Sequence, residues 1–138
     1  MIAIMIPGAP VAKGRPRIST RGGFARAYTP GKTQRYEDLI RLEAGRVMSD
    51  RSLMEGSLVA TIAAYVPIPT SMSKKRHAMA TAGEIRATTR PDLDNYIKCI
   101  DALNGIVFRD DSQIVELRAT KHYSDQPRLE VTLQEAGR

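Results

Sequence analysis

Cysteine is almost missing from this chain: Cys99 is alone among 138 residues. A single thiol forms no internal disulfide, and with only His77 and His122 beside it the four Cys/His ligands of a structural zinc site cannot be assembled. A secreted disulfide scaffold and a zinc finger are both excluded. Long apolar runs are missing too, since the longest, Leu58–Val66, is about half of the roughly 20 residues that span a bilayer. The Met1–Val11 stretch is apolar but lacks a basic leader, is broken by Pro7 and Pro10, and is short for a secretory signal. No G-x-x-x-x-G-K-[ST] loop occurs, so neither an ATP-driven enzyme nor a nucleotide cofactor is expected. The 42% apolar and 26% charged fractions lie far from the disordered regime. The expectation is a reduced, soluble, cytoplasmic protein of one domain, 1–138, with no membrane partner.

Negative charge is the scarcer sign. Lys and Arg number 21 against 15 Asp and Glu, a net charge of +6, with a sequence pI near 9.8. An excess of this size favours a polyanionic partner, although it also serves simply to keep a small protein in solution. Its distribution is more informative. Acids are absent from a stretch of about 13–32 that carries Lys13, Arg15, Arg17, Arg21, Arg26 and Lys32 among Gly14, Pro16, Gly22, Gly23 and Pro30. This reads as a cationic loop or loose hairpin suited to phosphate contact. Lys74, Lys75 and Arg76, with Arg86 and Arg90, form a second cationic stretch.

Periodicity supplies the elements. Thr29-Pro30 is a helix-start signal, and Tyr36, Leu39, Ile40, Ala44, Val47 and Met48 recur at helical spacing, predicting a helix from about Pro30 to Met48. Ile2–Ile6, Leu58–Val66, Ile114–Tyr123 and Arg128–Leu133 alternate as strands, the last two expected to pair through the turn Ser124–Pro127. The variable segment of about 67–89 is Ser, Lys and Ala rich, with a short helix predicted around Lys74–Ala82. This order gives an α+β fold, a mixed sheet with helices packed on one face.

Chemistry concentrates in Arg90-Pro91-Asp92-Leu93-Asp94-Asn95 and the residues that follow. Asp92 is placed to cap a helix predicted from about Leu93 to Leu103, with an apolar stripe of Leu93, Ile97, Ile100 and Leu103 or Asn104, ending at Asn104-Gly105. Asp94, Lys98 and Asp101 then share the opposite face. Helix-end acids and i,i+4 ion pairs are common structural features. What points further is a second acidic pair, Asp110-Asp111, just before a strand and with only Arg109 as a local cation. Asp92, Asp94 and Asp111 offer the carboxylate oxygens that a hard cation such as Mg²⁺ takes, within a chain whose cations suit a phosphodiester backbone. EF-hand spacing after Asp94 fails. His77 and His122 are assigned to a loop and a strand face, not to catalysis.

These motifs resemble the RusA family of Holliday junction resolvases, small endodeoxyribonucleases often carried by prophages. The resemblance rests on Pro7-Gly8-Ala9-Pro10, Lys13-Gly14-Arg15-Pro16-Arg17, Asp92-Leu93-Asp94-Asn95, Lys98, Asp101-Ala102-Leu103 and Asp110-Asp111-Ser112-Gln113-Ile114. It implies a RusA-like fold, with Asp92, Asp94 and Asp111 as metal-binding catalytic carboxylates, Lys98 assisting and Asp110 the weaker of its pair. It also implies Mg²⁺ as cofactor, with Mn²⁺ as a substitute, and a homodimer making paired symmetric nicks in a DNA four-way junction during recombination and repair. Lys13, Arg15, Arg17, Lys74, Lys75, Arg76 and Arg90 are the expected DNA contacts. Two alternatives stay open: a non-catalytic DNA-binding module, and a metal-dependent nuclease acting on other branched DNA or on RNA.

Overall fold

The computed structural model describes residues 1–13, 17–19, 23, 26–28 and 31–137, with the backbone alone for 17–19 and 26–28. The elements run β1 (Ile2–Pro7), β2 (Arg17–Ser19), β3 (Arg26–Tyr28), α1 (Gly31–Met48), β4 (Leu58–Pro67), α2 (Lys74–Thr81), α3 (Leu93–Ile97), β5 (Ile114–Ser124) and β6 (Arg128–Glu135). Two 3-10 segments, Lys98–Leu103 and Asp111–Gln113, lie between α3 and β5. The fold is α+β, as expected.

Strands β1, β4, β5 and β6 form one mixed sheet in the order β1-β6-β4-β5, while β2 and β3 pair separately as the antiparallel hairpin of the cationic stretch. One face of the large sheet is dry. Ile2, Ile4 and Ile6 of β1, Leu58, Ala60, Ile62 and Ala64 of β4, and Leu129, Val131 and Leu133 of β6 are all buried there, as period-two alternation dictates. Helix α1 packs on β1 and on the Lys98–Leu103 segment, burying Tyr36, Ile40, Ala44 and Met48 at four-residue spacing. The Thr29-Pro30 start signal lies outside the described residues.

The expected β5–β6 hairpin does not form. β4 lies between them, parallel to β5 and antiparallel to β6. Alternation identifies strands but not neighbours, and the short connection Asp125–Pro127 reaches across the end of β4 because strands two places apart are only about 10 Å distant. Burial explains the order: β4 carries four buried residues and takes the interior, whereas no residue of β5 is buried and it takes the edge. At the common end of these strands the Tyr65 and His122 rings stack at 5.0 Å, and the Arg128 guanidinium lies 3.8 Å from the Tyr65 ring centre.

Helix α2 falls inside the variable segment as predicted, with the Ser73 hydroxyl accepting from the Arg76 amide at 3.2 Å. His77 is therefore on a helix and not in a loop, and its Nε2 lies 2.9 Å from Asp125. Among the described residues no helix is long and apolar enough to cross a membrane.

Candidate active site

The first acidic stretch begins at a cis Arg90–Pro91 bond and enters α3. Asp92 occupies the N-cap position in extended geometry, yet its side chain makes no capping bond. Among the described residues the carboxylate expected to cap is thus left uncommitted. Asp94, in the first turn of the helix, faces Lys98 Nζ at 4.0 Å, and the same ammonium donates to Asn95 Oδ1 at 3.3 Å. Two backbone bonds hold the approach to Asp92 in place: Lys121 Nζ, projecting from β5, donates to the carbonyls of Thr89 at 2.9 Å and Pro91 at 3.0 Å.

The continuous helix predicted over Leu93–Leu103 is instead five residues of α-helix followed by the 3-10 segment from Lys98. Tightening to three residues per turn rotates the buried stripe. Tyr96, Cys99, Ile100 and Leu103 become buried, while Leu93 and Ile97 are only half-buried. Burial pushes the Cys99 thiol up to about 12, so it stays protonated and unreactive near neutrality. Asp101 does not hold Lys98. It accepts from Lys13 Nζ at 3.4 Å, and Lys13 also lies 3.6 Å from Glu37 of α1. Lys13, an expected DNA contact, is engaged by two carboxylates and ties the amino-terminal segment to α1 and to the site.

The second acidic stretch follows a turn at Gly105, whose φ of 80° suits a residue without a Cβ. Phe108, fully buried, anchors this turn in the core. Asp110 then caps the 3-10 turn, its Oδ2 accepting from the Ser112 amide at 3.0 Å; the Ser112 hydroxyl first, and this amide second, hold its carboxyl below the usual range. Gln113 closes the structure. Its Oε1 accepts from the amides of Arg109 at 2.9 Å and Asp110 at 3.1 Å, and its Nε2 donates to the carbonyls of Met54 and Gly56, both at 3.1 Å. Asp111 is left half-buried and, among the described residues, accepts one side-chain bond, from Asn104 Nδ2 at 3.3 Å. The two adjacent acids therefore differ: Asp110 shapes the turn, and Asp111 keeps most of its acceptor capacity.

Asn104 terminates the 3-10 segment, so its bond to Asp111 joins the two acidic stretches. Ile97 and Ile100 line a groove of about 280 Å³ together with Asp111 and Leu117. Among the described residues no group of three or more His, Cys, Asp or Glu side chains is assembled into a metal cage. The donor chemistry nevertheless suits a hard cation: an uncapped Asp92, an Asp94 only loosely paired, and an Asp111 with a single neutral donor.

The cations spread more widely. Lys74, Lys75, Arg76 and Arg90 are exposed. Arg86 Nε donates to the Lys121 carbonyl at 3.1 Å. Arg15 lies outside the described residues, and Arg17 is described only as backbone in β2. Burial, followed by the charges of Arg86 and Arg128, pushes the His122 imidazole below its ordinary value, consistent with a neutral ring on a strand face. The role of Lys121 carries no local signal, because its partners lie about 30 residues away along the chain, whereas Gln113 stands at capping-box spacing from Asp110 and only its bonds to Met54 and Gly56 are distant.

Comparison with known proteins agrees with this architecture. The family described as "Endodeoxyribonuclease RusA" matches residues 7–134. The chain is also 39% identical over 139 residues to "Uncharacterized protein YqaN" of Bacillus subtilis (strain 168), covering 99% of this chain and 97% of that protein. A match that takes in both acidic stretches and nearly the whole chain assigns it to the RusA family of endodeoxyribonucleases.

Proposed function

We propose that this endodeoxyribonuclease resolves DNA four-way junctions in recombination and repair, acting as a homodimer that nicks paired strands with a divalent cation. The observation that carries this reading is the division of labour among the acids, in which Asp110 and Gln113 maintain a turn that leaves Asp111 available, while Asp92 stands at a helix start without capping it. Acids serving only to stabilise helix ends would be spent on those bonds.

Asp92, Asp94 and Asp111 would hold Mg²⁺, or Mn²⁺ in its place, on the strength of their donor chemistry. Such an ion lowers the pKa of a bound water and offsets charge on the phosphoryl oxygens. The chain's own residues do the rest. Lys98 places an ammonium within reach of the scissile phosphate beside Asp94, Lys121 keeps the Asp92 approach in register, and Gln113 does the same for Asp111. Lys74, Lys75, Arg76 and Arg90, with Arg15 and Arg17 of the cationic hairpin, contact the DNA backbone. Two-fold symmetry in the protein matches the paired strands of a junction.

The test is cleavage of a synthetic four-way junction, a flap, a plain duplex and an RNA, each with Mg²⁺, with Ca²⁺ and with a chelator. Nicking is expected on the junction with Mg²⁺ alone, and Asp94→Asn should bind the junction yet lower cleavage by about 10²–10³-fold, the scale of losing a group that stabilises transition-state charge. Preferential cleavage of the flap or of RNA would move the substrate. Undiminished nicking by Asp94→Asn would remove that residue from the site.

A further inference from the structure

We propose that the outer edge of β5 pairs with the same edge of a second copy of this chain, antiparallel, about a two-fold axis at Leu117. The inference rests on the dimeric reading above and gives it a surface and a register. β5 is the end strand of its sheet and has no buried residue. Val115 is 63% exposed and Leu117 is 46% exposed. Apolar side chains on an edge that already presents unpaired backbone groups invite strand addition.

The usable edge is short and well defined. Toward its start, the ladder to β4 shifts register between Leu58 and Val59, where Ile114 and then Glu116 are the partners, so regular pairing geometry begins at Glu116. Toward its end, the Lys121 carbonyl accepts from Arg86 and so faces away from β4. Carbonyls alternate sides along a strand, which turns those of Leu117 and Ala119 the same way. Arg86 thus covers the edge at Lys121 and leaves Glu116–Ala119 open.

This stretch is complementary to itself. An axis at Leu117 sets Leu117 against Leu117 and sets Glu116 of each copy against Arg118 of the other. Glu116 and Arg118 are exposed, and neither has an ion-pair partner among the described residues. Their partners Val59 and Thr61 alternate with the buried Ala60 and Ile62, so both charges lie on the outer face of the sheet. Leu117 is in register with Ala60 and lies on the helix-covered face, where it borders the groove formed with Ile97, Ile100 and Asp111. The seam therefore has matched charge on one face, apolar contact on the other, and the candidate site beside it. If Leu117 exchanges backbone bonds with its twin, Glu116 and Arg118 form non-hydrogen-bonded pairs, in which facing side chains are closest.

Sedimentation of the full chain across micromolar concentrations tests this, with thermal melting used to confirm that each variant is folded. The wild type should be a dimer. Arg118→Glu sets Glu against Glu twice and should weaken the dimer by at least about tenfold, and Leu117→Lys should weaken it further. The double variant Glu116→Arg/Arg118→Glu restores both pairs and should return the dissociation constant to near the wild-type value. This charge exchange decides the matter even if Leu117→Lys unfolds. A wild-type dimer indifferent to all these changes would overturn the seam and leave the dimer. A chain that stays monomeric, free and on a junction, would overturn both.

Discussion

The two acidic stretches are stabilised in opposite ways. Arg109–Gln113 is largely self-contained, with Asp110 capping its own turn and Gln113 gripping the amides on one side and the Met54 and Gly56 carbonyls on the other. Arg90–Asp94 makes few bonds of its own. Asp92 caps nothing, and the approach to it depends on Lys121, from a strand at the sheet edge. One carboxylate is thus presented by a rigid turn and two by a helix start steered from a distance. Hydrogen bonds spent on backbone groups around a site leave its carboxylates free for substrate or cation, and this chain achieves that separation twice by different routes.

The sharpest way to break the comparison is at the self-contained turn. Gln113→Ala removes four bonds at once and should lower junction cleavage by about 10–100-fold, the usual cost of losing a residue that orients a ligand, with junction affinity largely kept. A cleavage rate within twofold of wild type would show that Asp111 needs no clasp. At the other stretch, Lys121→Met should lower the cleavage rate by about tenfold, with little change in melting temperature, because Lys121 bonds only two loop carbonyls. Lys121→Arg should recover part of the rate. Equal loss of stability and activity would make Lys121 a scaffold residue instead. The smallest effect concerns pH. Hydrogen bonds from Ser112 depress the Asp110 carboxyl, so its stabilising contribution is present above the ordinary aspartate value of about 4 and is lost as pH falls through the lower folded value. The melting-temperature difference between wild type and Asp110→Asn should accordingly shrink on acidification from pH 7 toward pH 3.

Much of this contrast was legible in the residues, but unevenly. Ile2, Ile4 and Ile6, the Tyr36–Met48 stripe and Leu58–Val66 could be read because each buries one face at a fixed period. The strand order is not legible, since a turn between the two alternating segments β5 and β6 does not reveal that β4 inserts between them. The helix after Asp92 is less regular than its periodicity implies: the switch to 3-10 geometry at Lys98 accompanies the packing of Tyr96, Cys99 and Leu103 in the core, and a local pattern does not contain that information. The acids themselves stood out by spacing and charge. Their supports are less legible: Gln113 stands at capping-box spacing from Asp110, but its grip on Met54 and Gly56, like that of Lys121 on Thr89 and Pro91, is on backbone carbonyls far away in sequence, and any residue type offers the same carbonyl.

The most direct test of a site shared by both stretches is single-turnover cleavage of a four-way junction by Asp111→Asn, with binding measured on the same preparation in Ca²⁺. The account predicts cleavage reduced by about 10²–10³-fold with binding retained or tightened, since a negative charge near DNA has been removed. Cleavage at the wild-type rate would contradict it, because the turn that Asp110 and Gln113 maintain would then present nothing to the reaction.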